Sequence, residues 1–133
     1  MTTEVSSGPW AVTHLVETRV TETPNAKMTT LASPGLNGTS EICLWTVDFA
    51  AGASGPVHTM DREQVWWLER GVARCVVDSV EHELAAGDVI RLAAGVERQF
   101  RAATDARFIV CGVPGTRAAT GQDDPGVIPP WIV

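Results

Sequence analysis

The chain has 133 residues, of which 44% are hydrophobic and 20% are charged. This length and balance are typical of one globular domain with a core of its own, and they exclude an intrinsically disordered chain. The formal net charge of −6 argues against nucleic acid or an anionic membrane as a partner, because neither attracts an acidic protein. We therefore expect a single domain over residues 1–133, with a flexible N-terminus at 1–10 and a proline-rich tail at 114–133.

The apolar runs are short, whereas a bilayer span needs about 20 residues, and the first residues lack the basic and apolar order of a secretory signal. The three cysteines, Cys43, Cys75 and Cys111, are odd in number, and each lies in an apolar run. This arrangement predicts buried thiols that act as small hydrophobes, not a zinc site. It also favours a reducing, cytoplasmic setting.

Short runs of β-forming residues recur between turn-forming segments, and helical periodicity is almost absent. The pattern predicts an all-β chain that forms an antiparallel barrel or sandwich. The predicted strands cover residues 12–18, 27–32, 41–50, 55–60, 64–70, 72–78, 81–86, 88–93, 97–102 and 106–113. The tail has four prolines in its 20 residues, which predicts no regular element there. Its apolar end, residues 128–133, can dock onto the domain or a partner.

The run at 41–50 is apolar on both of its faces. Alternation places Trp45, Val47 and Phe49 on one face, together with Cys43, and leaves Ile42 and Leu44 on the other. A strand of this kind lies between two buried surfaces, and one of them could be a subunit interface.

Two glycine-framed segments have a distinctive spacing. The first is GASGPVHTMDREQVWWLERG, which begins at Gly52, ends at Gly71 and contains His58, Met60 and Gln64. The second begins at Gly87, continues after five residues with AAG at 93–95, and reaches Arg98 after two more. Glycine at such positions permits turns that would strain other residues.

Both segments resemble the two conserved motifs of the cupin superfamily. The first family motif reads Gly, five residues, His-x-His, three or four residues, Glu, six residues, Gly. The second reads Gly, five residues, Pro-x-Gly, two residues, His. The resemblance covers residues 40–113 and implies a jelly-roll barrel, the double-stranded β-helix of the cupins.

In metal-binding cupins the three histidines and the glutamate of these motifs coordinate a divalent metal. The resemblance carries those positions to His58, Met60, Gln64 and Arg98, of which only His58 keeps the family residue. Met60 offers a weak, soft ligand and is more typical of packing. Gln64 can coordinate through its amide oxygen but brings no negative charge. We therefore expect no metal cofactor; if one binds, His58, Gln64 and Met60 would be its ligands, with Glu63 as a further candidate.

Arg98 decides most about the chemistry, and two arrangements remain open for it. A guanidinium is always charged and has no lone pair, so an inward Arg98 would repel a metal and favour a carboxylate, phenolate or enolate. Alternatively, Arg98 turns outward and pairs with Glu97 or Glu63.

Trp66 and Trp67 point to opposite faces of one strand. One of them, Trp66, is expected to line the barrel interior with Phe100, while the other faces a neighbouring sheet or subunit. Core packing alone accounts for such residues. An aromatic cavity with a few polar groups also suits a planar organic ligand.

Our leading hypothesis is a small-molecule-binding cupin that catalyses a proton transfer, such as a cyclisation or isomerisation, on an aromatic or polyketide-like substrate. Small cupins that resemble this chain occur among polyketide cyclases and isomerases. In this scheme His58 is the general acid or base, and Arg98 and Gln64 stabilise an enolate. Met60, Trp66 and Phe100 would contact the ligand. The alternatives are a metal-dependent oxygenase or lyase and a non-catalytic binding module. The resemblance also implies a homodimer.

Overall fold

The computed structural model describes residues 8–133, and antiparallel strands dominate them, which confirms the all-β prediction. The helical elements are short: a 3-10 helix at Leu15–Glu17, helix α1 at Pro34–Asn37 and a second 3-10 helix at Pro130–Ile132. None of the helices in this part of the chain has the length and apolar character that crossing a membrane requires. The strands are β1 (Arg19–Glu22), β2 (Lys27–Ala32), β3 (Cys43–Phe49), β4 (Thr59–Met60), β5 (Gln64–Arg70), β6 (Val72–Val77), β7 (Val80–Ala85), β8 (Val89–Leu92), β9 (Arg98–Ala102), β10 (Ala106–Gly112) and β11 (Ala118–Ala119).

Two main sheets, of six and three strands, face each other, as a jelly roll requires, and β4 and β11 form a separate two-stranded sheet. The larger sheet has the order β1-β2-β3-β10-β5-β8, and the smaller has the order β7-β6-β9. Single antiparallel bridges join Ser54 to Arg101 and His58 to Arg98. These bridges extend the smaller sheet from β9 onto the segment that leads into β4, and β4 in turn pairs with β11.

Aromatic side chains fill the space between the two sheets. Trp66 of the larger sheet stacks on Phe100 of the smaller one, with ring centroids 4.1 Å apart. Phe108 meets both rings edge-on, at 5.3 and 5.2 Å. Such pairs contribute about 0.5–1.5 kcal/mol beyond their buried area, so this cluster fixes how the sheets are placed around the site.

The glycine spacing of the sequence is a backbone requirement. Gly71, in the turn between β5 and β6, has a φ of +91°, and a Cβ there would collide with the carbonyl oxygen of Asp105. The motif glycines Gly52, Gly87 and Gly95 also have positive φ values, which other residues rarely adopt.

The predicted strand at 12–18 is wrong, because that segment is irregular apart from the 3-10 helix at Leu15–Glu17. The backbone N–H of His14 donates to Oε1 of Glu17 (3.1 Å), and the hydroxyl of Thr18 donates to the carbonyl of Leu15 (2.7 Å). These local bonds stabilise a turn in competition with a strand. Most of the expected flexible N-terminus lies outside the described residues.

The tail contains more structure than its prolines indicated. Strand β11 and the 3-10 helix at Pro130–Ile132 both lie in it, which corrects the prediction that it has no regular element. Ile132 is 2% exposed in the core, and the hydroxyl of Thr30 donates to the carbonyl of Trp131 (2.6 Å). The apolar end of the chain therefore docks onto its own domain.

The prediction of three buried thiols is wrong for Cys111. Cys43 and Cys75 are fully buried, whereas Cys111 is exposed, and all three are free. Burial raises the pKa of Cys75 to about 12. Cys111 lies on the outer face of β10, where alternation turns every second residue away from the core.

Candidate functional site

A cavity of about 280 Å³ lies between the two sheets. Four of the predicted site residues line it: His58, Met60, Trp66 and Phe100. Strands β2 and β3 add large apolar side chains to the wall, namely Met28, Trp45, Val47 and Phe49. The cavity therefore offers an aromatic interior with few polar groups, which suits an apolar organic molecule.

His58 supplies a nitrogen base to this wall. Its main chain is fixed by a pair of hydrogen bonds with Arg98, of 3.0 and 2.9 Å. Its Nδ1 lies 2.8 Å from the carbonyl oxygen of Pro56. A carbonyl can only accept, so Nδ1 carries the proton of that bond, and in the neutral ring Nε2 keeps its lone pair.

The surroundings of His58 keep the ring neutral. Burial lowers its pKa, the hydrogen bond to Pro56 opposes that change, and the positive charge of Arg98 adds to the lowering. The usual value is about 6.5, so a lowered pKa leaves the imidazole unprotonated at neutral pH. His58 can therefore act as a proton acceptor without first losing a proton.

Behind the cavity wall, Gln64 and Arg98 form a buried network with Trp66. The Oε1 atom of Gln64 accepts two hydrogen bonds, from Nε1 of Trp66 (3.0 Å) and from Nη1 of Arg98 (3.2 Å). Both partners can only donate, which fixes the orientation of the amide. Nε of Arg98 donates to the carbonyl of Val96 (3.0 Å).

The inward arrangement of Arg98 is the one observed. Its side chain is 0% exposed, and burial lowers its pKa. Neither Glu97 nor Glu63 pairs with it; Glu63 instead accepts from Arg91 at 3.2 Å. Arg98 and Gln64 are absent from the cavity lining within the described residues, so their direct contact with a ligand stays a prediction.

The four motif positions do not fit a divalent metal. The structure brings Gln64 and Arg98 together, and places His58 beside Arg98 on the neighbouring chain segment. His58 is the sole nitrogen ligand of the set, and the oxygen of Gln64 already accepts two bonds. The guanidinium brings a positive charge and no lone pair to the same position. Elsewhere within residues 8–133, no cluster of three His, Cys, Asp or Glu residues could hold a metal ion.

Comparison with known proteins settles the family. The family model described as a cupin domain matches residues 45–112, which is just over half of the chain. The chain belongs to the cupin family. A search of the curated proteins gave no match.

Several solved structures resemble this cupin. Salicylate 1,2-dioxygenase from Pseudoaminobacter salicylatoxidans aligns with a TM-score of 0.69 and 14% identity, over 79% of this chain and 31% of that one. A sugar phosphate isomerase from Silicibacter pomeroyi gives 0.62 and 23%, over 74% and 66%. An RmlC-like cupin from Shewanella frigidimarina gives 0.66 and 20%, over 92% and 97%. This cupin spans less than a third of the dioxygenase, and at these identities the likeness shows the fold alone.

The sequence did not indicate that the turn between β1 and β2 and the tail both line the cavity. Thr23 and Asn25 precede β2, whereas Thr120 and Asp124 belong to the tail, and all four line the cavity. All four are exposed, so they border its opening. The two pairs lie about a hundred positions apart in the chain, and no local pattern predicts that such residues line one cavity. The apolar end of the tail was the one available signal.

Proposed function

We propose that this cupin binds a small, largely apolar organic molecule and transfers a proton on it, with His58 as the base. The observation that carries the proposal is the position of His58 in the cavity wall. Burial lowers the pKa of its ring, its Nδ1 donates to the carbonyl of Pro56, and aromatic side chains line the same cavity. A base with a lone pair in an apolar site is suited to remove a proton from carbon or oxygen.

The substrate class follows from the wall. The stacked rings of Trp66 and Phe100 present a flat apolar surface, which matches a planar aromatic or polyketide-like body. The lining within the described residues contains no arginine or lysine, so the body of the ligand meets no positive side chain. A ligand with an acidic C–H or a hydroxyl group directed at His58 would satisfy the site.

In this mechanism His58 takes the proton and returns it to another atom of the same molecule, as in an isomerisation or a cyclisation. No electron is gained or lost, so no oxidant is needed. The charge of Arg98, adjacent to His58 in the fold, favours the enolate that forms when the proton leaves. Gln64 orients that guanidinium.

A deuterium-exchange experiment tests the proposal without knowledge of the natural substrate. Benzoylacetone has an aromatic ring and an acidic methylene group, and its exchange in D₂O is followed by NMR. We expect this cupin to accelerate the exchange and the His58→Ala variant to lose about 10²–10⁴-fold of the acceleration. Binding, measured by quenching of tryptophan fluorescence, should persist in the variant.

The matched control is His82→Ala, which removes an exposed histidine of β7 and should leave the exchange unchanged. Full acceleration in His58→Ala would refute the role of His58. Binding of benzoylacetone with no acceleration in the unsubstituted protein would favour the non-catalytic binding module instead.

For its setting, we propose a cytoplasmic protein, on the basis of the three free cysteines. An acidic chain is expected to bind neither nucleic acid nor an anionic membrane surface.

A further inference from the structure

Arg98 is a buried cation that has no anionic partner among residues 8–133. Its side chain is 0% exposed, and Nη2 is buried with no hydrogen-bond partner in that part of the chain. Its two side-chain bonds go to neutral oxygens, of Val96 and Gln64. Buried charges are normally paired, because removing an ion from water is costly. This cost implies that Arg98 has a role besides packing.

The position of the guanidinium suggests one. The main chain of Arg98 pairs with His58 on one side and with Val77 of β6 on the other. Its side chain reaches Gln64 on β5, in the opposite sheet. Arg98 thus links the two sheets at the point where three of the four metal-ligand positions of the cupin motifs meet.

We propose that the guanidinium of Arg98 is a tethered cation that takes the place of a metal ion in this cupin. It orients the oxygen of Gln64 from within the protein, and Gln64 in turn holds Nε1 of Trp66. Arg98 is then a positioning residue for the cavity wall and excludes a divalent metal. The proposal does not depend on the ligand or on proton transfer.

The charge of Arg98, which no anion compensates, also changes the pKa values of two neighbouring residues. Arg98 contributes to the lowered pKa of His58 and opposes the raised pKa of Cys75. A glutamate at position 64 would cancel that charge, whereas glutamine preserves it. Gln64 therefore preserves the positive charge that adds to the lowering of the His58 pKa, whose largest cause is burial.

A double-mutant cycle tests whether the guanidinium of Arg98 acts as a cation on the side chain at position 64. In the unsubstituted background, Gln64→Glu places a carboxylate beside the guanidinium and should raise the urea midpoint of unfolding. In the Arg98→Met background, the same substitution buries a carboxylate without its partner and should lower the midpoint. The opposite signs are the expected result.

The exposed pair of Arg91 and Glu63, at 3.2 Å, provides the control. Glu63→Gln should shift the midpoint little, and equally with or without Arg91→Met, because exposed ion pairs contribute little. A shift of the same sign and size for Gln64→Glu in both Arg98 backgrounds would overturn the proposal.

Metal uptake tests the second consequence. The unsubstituted protein, incubated with Mn²⁺, Zn²⁺ or Ni²⁺ and desalted, should retain less than about a tenth of an equivalent. A variant combining Arg98→His, Gln64→Glu and Met60→His should take up about one equivalent and melt at a higher temperature.

Stoichiometric metal in the unsubstituted protein would contradict the proposal, and so would a folded triple variant that takes up none. Circular dichroism establishes whether the triple variant folds. If it does not fold, metal uptake by the unsubstituted protein and the double-mutant cycle decide the question.

Discussion

The tautomer of His58 determines what the cavity can do to a ligand. Because Nδ1 donates its hydrogen bond to the carbonyl of Pro56, the lone pair on Nε2 is available in the neutral ring. Asparagine or glutamine at the same place would present a hydrogen bond but no base. The main-chain carbonyl of Pro56 therefore selects which ring nitrogen of His58 keeps the lone pair.

The lowered pKa of His58 predicts the pH dependence of the exchange reaction. The base is active when neutral, so the rate should fall on the acid side, with an apparent pKa below the ordinary value of about 6.5. A rate profile of benzoylacetone exchange measures this directly. An acid limb centred above 6.5 would contradict the buried, neutral histidine.

The stability of the protein should also depend on the protonation of His58. The folded-state pKa of His58 is lowered, so between that pKa and about 6.5 the unfolded chain binds more protons. The free energy of unfolding therefore rises with pH across this window. The contribution of His58 to it is lost as the pH falls through the window. His58→Gln should remove this contribution in urea titrations at several pH values.

At the level of the elements, local pattern predicted most strands well. The runs at 27–32 and 64–70 have the predicted bounds, because flanking turn residues marked these stretches of β-forming residues. The run at 12–18 failed since its apolar residues lie at 12, 15 and 16, which is not a period of two. Strand β1 was missed because Val20 is its one apolar residue, too few to show a period.

The site was predictable only in part. The motif spacing located His58, Met60, Trp66 and Phe100, and all four line the cavity. The spacing could not determine which way Arg98 points, because that depends on Gln64, 34 positions away. The wall contributed by β2 and the tail depends on contacts that no sequence window contains.

The docked end of the tail should contribute to the stability of the barrel. Ile132 is 2% exposed and belongs to the hydrophobic core, so Ile132→Ala should lower the free energy of unfolding by about 2–5 kcal/mol. Val133→Ala, at a position 53% exposed, is the control and should change it by less than about 0.5 kcal/mol. Urea unfolding measures both. Equal effects would mean that the tail end is not part of the core.

On the scale of the whole molecule, the larger sheet has a second apolar face, which points away from the cavity. Trp67, Val65 and Val89 are 39%, 37% and 59% exposed there. Trp67 lies opposite Ile109, and Val65 lies opposite Cys111, so these residues form a continuous patch across three strands. Contiguous exposed apolar patches mark interaction surfaces. The face of β3 that carries Leu44 was expected to be buried against a partner. This face adjoins the patch, because Leu44 lies opposite Cys111.

We propose that a second copy of the chain covers this patch and forms a homodimer. The centre of the patch is uncharged. Two ion pairs flank it, Arg91 with Glu63 and Arg107 with Asp48, so its border carries charges of both signs. A patch with an apolar centre and charges of both signs around it can pair with its own copy across a two-fold axis, as an isologous dimer requires.

Light scattering coupled to size exclusion should therefore show a dimer, and Trp67→Glu should convert it to a monomer, because the new charge would be buried at the contact. Val80→Glu is the control: Val80 is 56% exposed, on the smaller sheet, and its variant should stay dimeric. A bismaleimide should cross-link the dimer through Cys111, since Cys43 and Cys75 are buried. A monomer at high protein concentration, or a Trp67→Glu variant that remains dimeric, would exclude this face as the interface.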